Sequence, residues 1–217
     1  QTPNLYYYKY ERHDEPMPAA IAIGAEPAVE AVSVMWIPTG SDEVNFAGGL
    51  KGAPIELVEA ETSDLLVPAT AEIILEGEVL PNSRLDEGPY GDYFGYMNGP
   101  RRSMPVFEIR TITHRRRPYI PFTVEWSNVG YTHNTTSSME LACVGPDATL
   151  GLRAAGFDVE KLAPWPFTPR TVYVIATEDT RPDYLHELAN FIFTTWGMLH
   201  VDFFVFVDAD VDPFDQR

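Results

Sequence analysis

Ala71-Glu72-Ile73-Ile74-Leu75-Glu76-Gly77-Glu78-Val79-Leu80 is the stretch on which the fold class turns. Successive side chains of an extended chain point to opposite faces, so Ile73, Leu75 and Val79 share one side and Glu72, Glu76 and Glu78 the other. The pattern predicts a strand over residues 71–80 with one apolar and one wet face. Ile74 departs from the alternation and predicts that the outer face is partly covered. Residues 55–61 show the same period upstream. Downstream, Pro81-Asn82-Ser83 is a turn signal, a glycine-rich stretch fills residues 88–99, and residues 105–114 predict the next strand. Several strands joined by such loops point to a small barrel or sandwich.

Toward the N-terminus, the aromatic run over residues 5–14 predicts the end of a helix that stops before Pro16 and Pro18. Residues 19–23 predict a buried strand closed by Gly24. Glu26-Pro27 opens a short helix carrying Val29, Val32 and Val34, which Pro38 ends, and residues 42–50 predict a second helix that runs out in glycines. Beyond Pro118 the pattern changes to helix over 137–155, strand over 172–177, helix over 182–196 and strand over 201–208. That order describes a βαβ unit. The expected fold is therefore α+β in two domains: residues 1–118, rich in strands, and residues 119–217, an α/β domain that is incomplete.

Composition narrows the function classes. At ~150 residues per domain, 217 residues allow one large or two small domains. With 45% hydrophobic and 22% charged residues the chain is globular, and collagen-like, coiled-coil and disordered readings fall away. Fifteen basic against 32 acidic residues leave a net charge of −17, which repels phosphate backbones and anionic lipid surfaces. Nucleic acid and membrane are thus not expected partners, and no run approaches the ~18 apolar residues of a membrane span. Cys143 stands alone, so no internal disulfide can form and a reducing, cytoplasmic setting is the expectation. The start at Gln1 and the end straight after an acidic loop are read as the limits of an excerpt from a longer protein.

The residues richest in chemistry are Glu87-Gly88-Pro89-Tyr90-Gly91-Asp92. Proline fixes one φ and the glycines allow left-handed backbone, so two carboxylates five residues apart could be held at a defined separation. Such a pair titrates as a unit and can keep one proton near neutral pH. A solvated acidic turn is the plainer reading of these residues taken alone.

Neighbouring segments change that balance. Pro68 to Glu78, then Glu87 to Tyr96, then Pro105-Val106-Phe107 and Ile112-Thr113-His114-Arg115 resemble, in order and spacing, the UbiD family of reversible decarboxylases. The likeness extends upstream through Met17-Pro18-Ala19-Ala20-Ile21-Ala22-Ile23-Gly24, Ile37-Pro38 and Phe46-Ala47-Gly48, and loosely downstream to Val205-Phe206-Val207-Asp208-Ala209-Asp210. It implies a flavin-binding split β-barrel over residues 1–118. It also implies a prenylated flavin mononucleotide (prenylated FMN) held through its phosphate by Mn²⁺ or Mg²⁺ and by K⁺.

By the same resemblance Asp92 is the proton donor and Glu87 its partner. Glu43 is a metal ligand, and Ser33, Val34 and Met35 lie along the flavin. Taken without the resemblance, Glu43 reads as a favourable charge at a helix start, and Val34 and Met35 as core. The expected reaction is reversible non-oxidative decarboxylation of an aromatic or α,β-unsaturated acid, with CO₂ as the other product. Aspartate at position 92, with Tyr90 and Tyr93 beside it, hints at a flat, hydroxylated or heteroaromatic ring. A homo-oligomer, dimer or hexamer, and a flavin prenyltransferase supplying the cofactor are the implied partners. The family's arginine and two metal–phosphate ligands would lie upstream of Gln1, so residues 1–217 alone are expected to be inactive.

Two other functions stay open on the residues: a split-barrel FMN-dependent reductase or oxidase, and a non-catalytic subunit of a decarboxylase. Other motifs say less. Asp208, Asp210 and Asp212 mimic a calcium loop, but Pro213 occupies the glycine position, so a structural loop is expected. Arg101-Arg102 and His114-Arg115-Arg116-Arg117 form a basic patch expected to be solvated or salt-bridging, and His133 is expected to be structural. No hydrolase elbow, phosphate loop, zinc spacing or dinucleotide fingerprint occurs.

Overall fold

A computed structural model of the chain describes residues 2–33, 35, 37, 41–91, 99–122, 135–164, 172–195, 203–213 and 215. The architecture is mixed α+β, with five helices and three sheets among the described residues and no closed barrel among those sheets. Two compact units emerge. The first carries α1 (Thr2–Glu11), β1 (Met17–Ile23), α2 (Pro27–Ser33), α3 (Glu43–Lys51), β2 (Leu57–Glu59), β3 (Leu66–Pro68), β4 (Ile73–Glu87) and β5 (Arg102–His114). The second carries α4 (Thr135–Ala154), β6 (Lys161–Pro164), β7 (Val172–Thr177), α5 (Pro182–Thr195) and β8 (Phe203–Asp208).

In the first unit β1, β4 and β5 form an antiparallel sheet in that order, and β2 and β3 pair separately. The register lines up Ile21, Leu75 and Ile112 in one cross-strand row, and Ala22, Ile74 and Thr113 in the next. The outer face is covered around Ile74, as its break in the alternation predicts, while the apolar face is wetter than expected. Ile74 packs with Val67 and Ala71, with Ala20 and Ala60 against them, and Glu76 on the same face is 2% exposed. On the opposite, apolar face Ile21 and Ile112 remain 45% and 57% exposed. The acidic face can be dry at Glu76 because the carboxylate finds donors there: its Oε2 accepts from the Thr62 amide at 2.9 Å and the Thr62 hydroxyl at 2.8 Å.

Pro81-Asn82-Ser83 does not end the strand. β4 runs on to Glu87, and the register jumps between Val79 and Arg84 while β5 continues opposite, so the turn residues form an irregularity inside the strand with Asn82 at φ +52°. The irregularity anchors α1. Arg84 donates to the Tyr7 hydroxyl and, at 2.6 Å, to Glu11; Tyr7 donates to Glu11 at 2.6 Å, and the Asn82 amide also reaches Glu11 at 3.2 Å. The Arg84 guanidinium lies 5.1 Å from the Tyr7 ring centroid. Tyr7 is buried at this junction, and its bond with Arg84 to the Glu11 carboxylate gives the helix end a fixed seat.

α3 has both ends specified by local chemistry. Asp42 caps it by accepting from the Val44 amide at 2.9 Å, and Gly52 closes it in the left-handed region at φ +72° with its amide directed at the Gly48 and Gly49 carbonyls. Of residues 55–61, expected to be a strand, only Leu57–Glu59 pairs.

In the second unit β7 and β8 are parallel, with α5 as the connecting helix, and β6 adds to β7 antiparallel. This is the expected βαβ unit plus β6, a four-residue strand too short to show a period. Its core is Leu152, Val159, Leu162, Tyr173, Ile175, Leu188 and Ile192. Buried Thr149 joins α4 to β6: its hydroxyl donates to the Gly145 carbonyl at 2.8 Å and accepts from the Leu162 amide at 3.0 Å. Among the described residues no helix is long and apolar enough to cross a membrane.

Candidate active site at the acid loop

Glu87 is the last residue of β4 and lies opposite Arg102, the first residue of β5. Directly opposed residues of an antiparallel pair project to the same face, so a carboxylate and a guanidinium share one side at the end of this ladder. The chain then leaves the ladder through Gly88, whose φ of +86° is one that L side chains rarely adopt, and a cis Gly88–Pro89 peptide. Arg101 Nε donates to the Gly88 carbonyl at 3.0 Å. On the other arm Gly99, at φ +63°, leaves room for Arg102: a Cβ there would stand 3.1 Å from a guanidinium nitrogen. Glu87, Gly88, Tyr90, Pro100, Arg102 and Met104 line a hollow of about 70 Å³ between the two arms. It offers a carboxylate, a guanidinium and a phenol above an apolar wall.

The remaining expected site residues fall as follows. Asp92 and Val34 lie outside the described residues, as does His133. Ser33 ends α2, exposed, with its hydroxyl donating to the Glu30 carbonyl at 2.7 Å. Met35 is half-buried. Glu43 is exposed in the first turn of α3, where Asp42 beside it is occupied with Val44 and, at 3.2 Å, the Asn45 amide group. Among the described residues no group of three or more His, Cys, Asp and Glu side chains is arranged to hold a metal.

The basic patch does not behave as one surface. Arg101 binds the acid loop, while Arg115 donates to the Thr70 carbonyl at 2.9 Å and stands 3.5 Å from Glu72. Arg101 was not among the expected site residues; its sequence signals are its place in the basic patch and directly after the Gly99-Pro100 turn. In the acidic C-terminal loop Asp212 pairs with Lys161 at 3.4 Å, as a structural loop would.

The family model described as the UbiD, 3-octaprenyl-4-hydroxybenzoate carboxy-lyase Rift-related domain matches residues 1–128. The chain belongs to the UbiD family. Among solved structures, the UbiD-class enzyme HmfF from Pelotomaculum thermopropionicum in complex with FMN matches all of this chain and 47% of its own, at 31% identity and a TM-score of 0.79. An evolved dimeric form of HmfF in complex with prenylated FMN (prFMN) matches 96% of this chain and 47% of its own, at 32% identity and a TM-score of 0.78. Vanillic acid decarboxylase from Sedimentibacter hydroxybenzoicus, in closed form, covers 99% of this chain and 44% of its own at 27% identity, with a TM-score of 0.85. The UbiD-family chain therefore spans less than half the length of the structures it resembles. The Sedimentibacter protein is a decarboxylase, and the HmfF structures hold FMN or its prenylated form.

Proposed function

We propose that this UbiD-family protein catalyses reversible, non-oxidative decarboxylation of an aromatic or α,β-unsaturated carboxylic acid with prenylated FMN, and that residues 1–118 form the flavin domain, of split β-barrel type. The observation that carries the reading is the acid loop, in which Glu87 ends β4 opposite Arg102 and turns at once into the left-handed Gly88. Family membership over residues 1–128 supports it.

Each residue has an assigned task. Asp92 delivers the proton to the carbon that has lost CO₂, and Glu87 shares that proton, its position set by the β4–β5 ladder. Ser33, Val34 and Met35 line the flavin. Glu43 provides one hard oxygen ligand at the start of α3, which suits Mn²⁺ or Mg²⁺ bridged to a phosphate, with K⁺ alongside. One carboxylate cannot complete a coordination sphere, so further ligands are required. When bound, the prenylated flavin supplies the electron sink that the departing carboxylate requires. Tyr90 and Arg102 on the wall of the hollow suit a flat substrate bearing hydroxyl or other polar groups.

The test is Asp92→Asn in the full-length protein loaded with prenylated FMN and Mn²⁺. Turnover of a panel of aromatic and unsaturated acids should fall on the order of 10²-fold or more while cofactor occupancy stays at the wild-type level. Wild-type turnover in that variant removes Asp92 from the mechanism. Plain FMN in the purified protein, with nicotinamide oxidation and no CO₂ release, would replace decarboxylation with a reductase reaction.

A further inference from the structure

We propose that Arg101 is a positioning residue for the acid loop, acting through the Gly88 carbonyl; the inference rests on the functional reading of Glu87 given above. β4 and β5 are locked in register by the pairs Arg84–Pro105, Leu85–Met104, Asp86–Ser103 and Glu87–Arg102, where the ladder stops. Gly88 is one step beyond that last pair. Its carbonyl has left the ladder, and the following residue, Pro89, has no N–H with which to build a local turn. Arg101, one step before the same pair on the other arm, donates to that carbonyl from Nε at 3.0 Å across 13 residues of sequence. The bond extends the ladder by a side-chain rung.

The placement matters for the chemistry. Gly88 is the residue directly after Glu87, so fixing its carbonyl fixes the Gly88–Pro89 peptide plane, the first beyond Glu87's own, from which the loop toward Tyr90 begins. Successive residues of a strand alternate sides, and the two arginines divide the work accordingly: Arg102 lines the hollow with Glu87, and Arg101 reaches the backbone. A left-handed glycine followed by proline has few conformations, and one bond from a planar guanidinium selects among them. Arg101 touches neither Glu87's carboxylate nor the hollow, so its effect passes through the loop.

The experiment uses the full-length protein loaded with prenylated FMN, comparing wild type, Arg101→Ala and Glu87→Gln. In Arg101→Ala, kcat should fall roughly ten- to a hundred-fold, with KM and cofactor occupancy within about a factor of two, because misplacing a catalytic group slows chemistry without weakening substrate binding. Amide exchange at residues 88–91 should quicken while the amides of β4 and β5 keep their protection. If melting shows that Arg101→Ala is poorly folded, Arg101→Met, which retains the aliphatic stem, takes its place. Wild-type kcat in the arginine variant while Glu87→Gln is inactive overturns the inference. If instead Glu87→Gln keeps full turnover, the functional reading of Glu87 has failed, and unchanged exchange at residues 88–91 then rejects the loop-positioning role independently.

Discussion

Glu76 and Thr62, fourteen residues apart, are joined by two hydrogen bonds to one oxygen, from the threonine amide at 2.9 Å and its hydroxyl at 2.8 Å. Burial pushes the Glu76 pKa up, and the bonds from the Glu61 amide and from Thr62 outweigh that, leaving it below the ordinary 4.5. A group whose folded pKa is depressed stabilises the fold above its unfolded pKa. That contribution is lost as pH falls from about 4.5 through the lower folded value. Glu76→Ala should therefore cost about 2 kcal/mol at neutral pH by denaturant unfolding. It should also flatten the stability–pH curve below pH 4.5. An unchanged acid limb would show that Glu76 does not hold the Thr62 segment.

Gly77, next along β4, is required by close approach. A Cβ there would stand 2.0 Å from the Glu108 carbonyl oxygen and 2.9 Å from its carbon, at a point where the β4–β5 register shifts. Backbone cannot swing aside as a side chain can, so Gly77→Ala should destabilise the first unit by about 3 kcal/mol. Thermal unfolding reads this directly. A melting temperature equal to wild type would mean that the two strands separate freely at this position.

Arg84→Met should loosen α1 without unfolding the sheet. The Glu11 pKa is held down first by the hydrogen bond from Tyr7 and then by that from Arg84. Losing the guanidinium should move it upward, toward the ordinary 4.5, in an NMR titration. Amides of residues 2–11 should exchange faster while those of β4 and β5 keep their protection. An unmoved Glu11 titration would separate Arg84 from the network.

Glu43→Ala should give a signature distinct from the acid-loop variants. In the proposed role of metal ligand, its removal should lower Mn²⁺ and prenylated-flavin occupancy together, whereas Glu87→Gln should leave occupancy intact and remove turnover. Metal analysis and the flavin absorbance of the purified full-length proteins separate the two. Full occupancy in Glu43→Ala would return Glu43 to the role of a charge at the start of α3.

Much of this chain could be read locally. The two-residue period of residues 71–80, the proline at the start of α2 and the Asp42 and Gly52 ends of α3 each act through neighbours in sequence, and the structure has an element at each. The candidate acids were visible for the same reason, since a Glu-Gly-Pro-Tyr-Gly-Asp run is a local pattern. Pro81-Asn82-Ser83 misled because a turn signal states only that the chain must bend. Whether the bend ends a strand or interrupts it depends on the strand opposite, and β5 continues past it.

Sequence by itself settled the order of the helices and longer strands (missing only the short β3 and β6 among the described residues), the βαβ arrangement of the second half and the presence of an acid pair on a glycine-proline loop. Tertiary structure decided which face of β4 is dry. Alternation puts Leu75 on one face and Glu76 on the other, and Thr62, with Val67 of β3, selects the side that is covered. Tertiary structure also decided that Arg84 seats α1 and that Arg101 holds Gly88. Each of those bonds joins residues 13 to 77 positions apart. A donor's partner at such a distance is set by strand register and chain path, which no local pattern encodes.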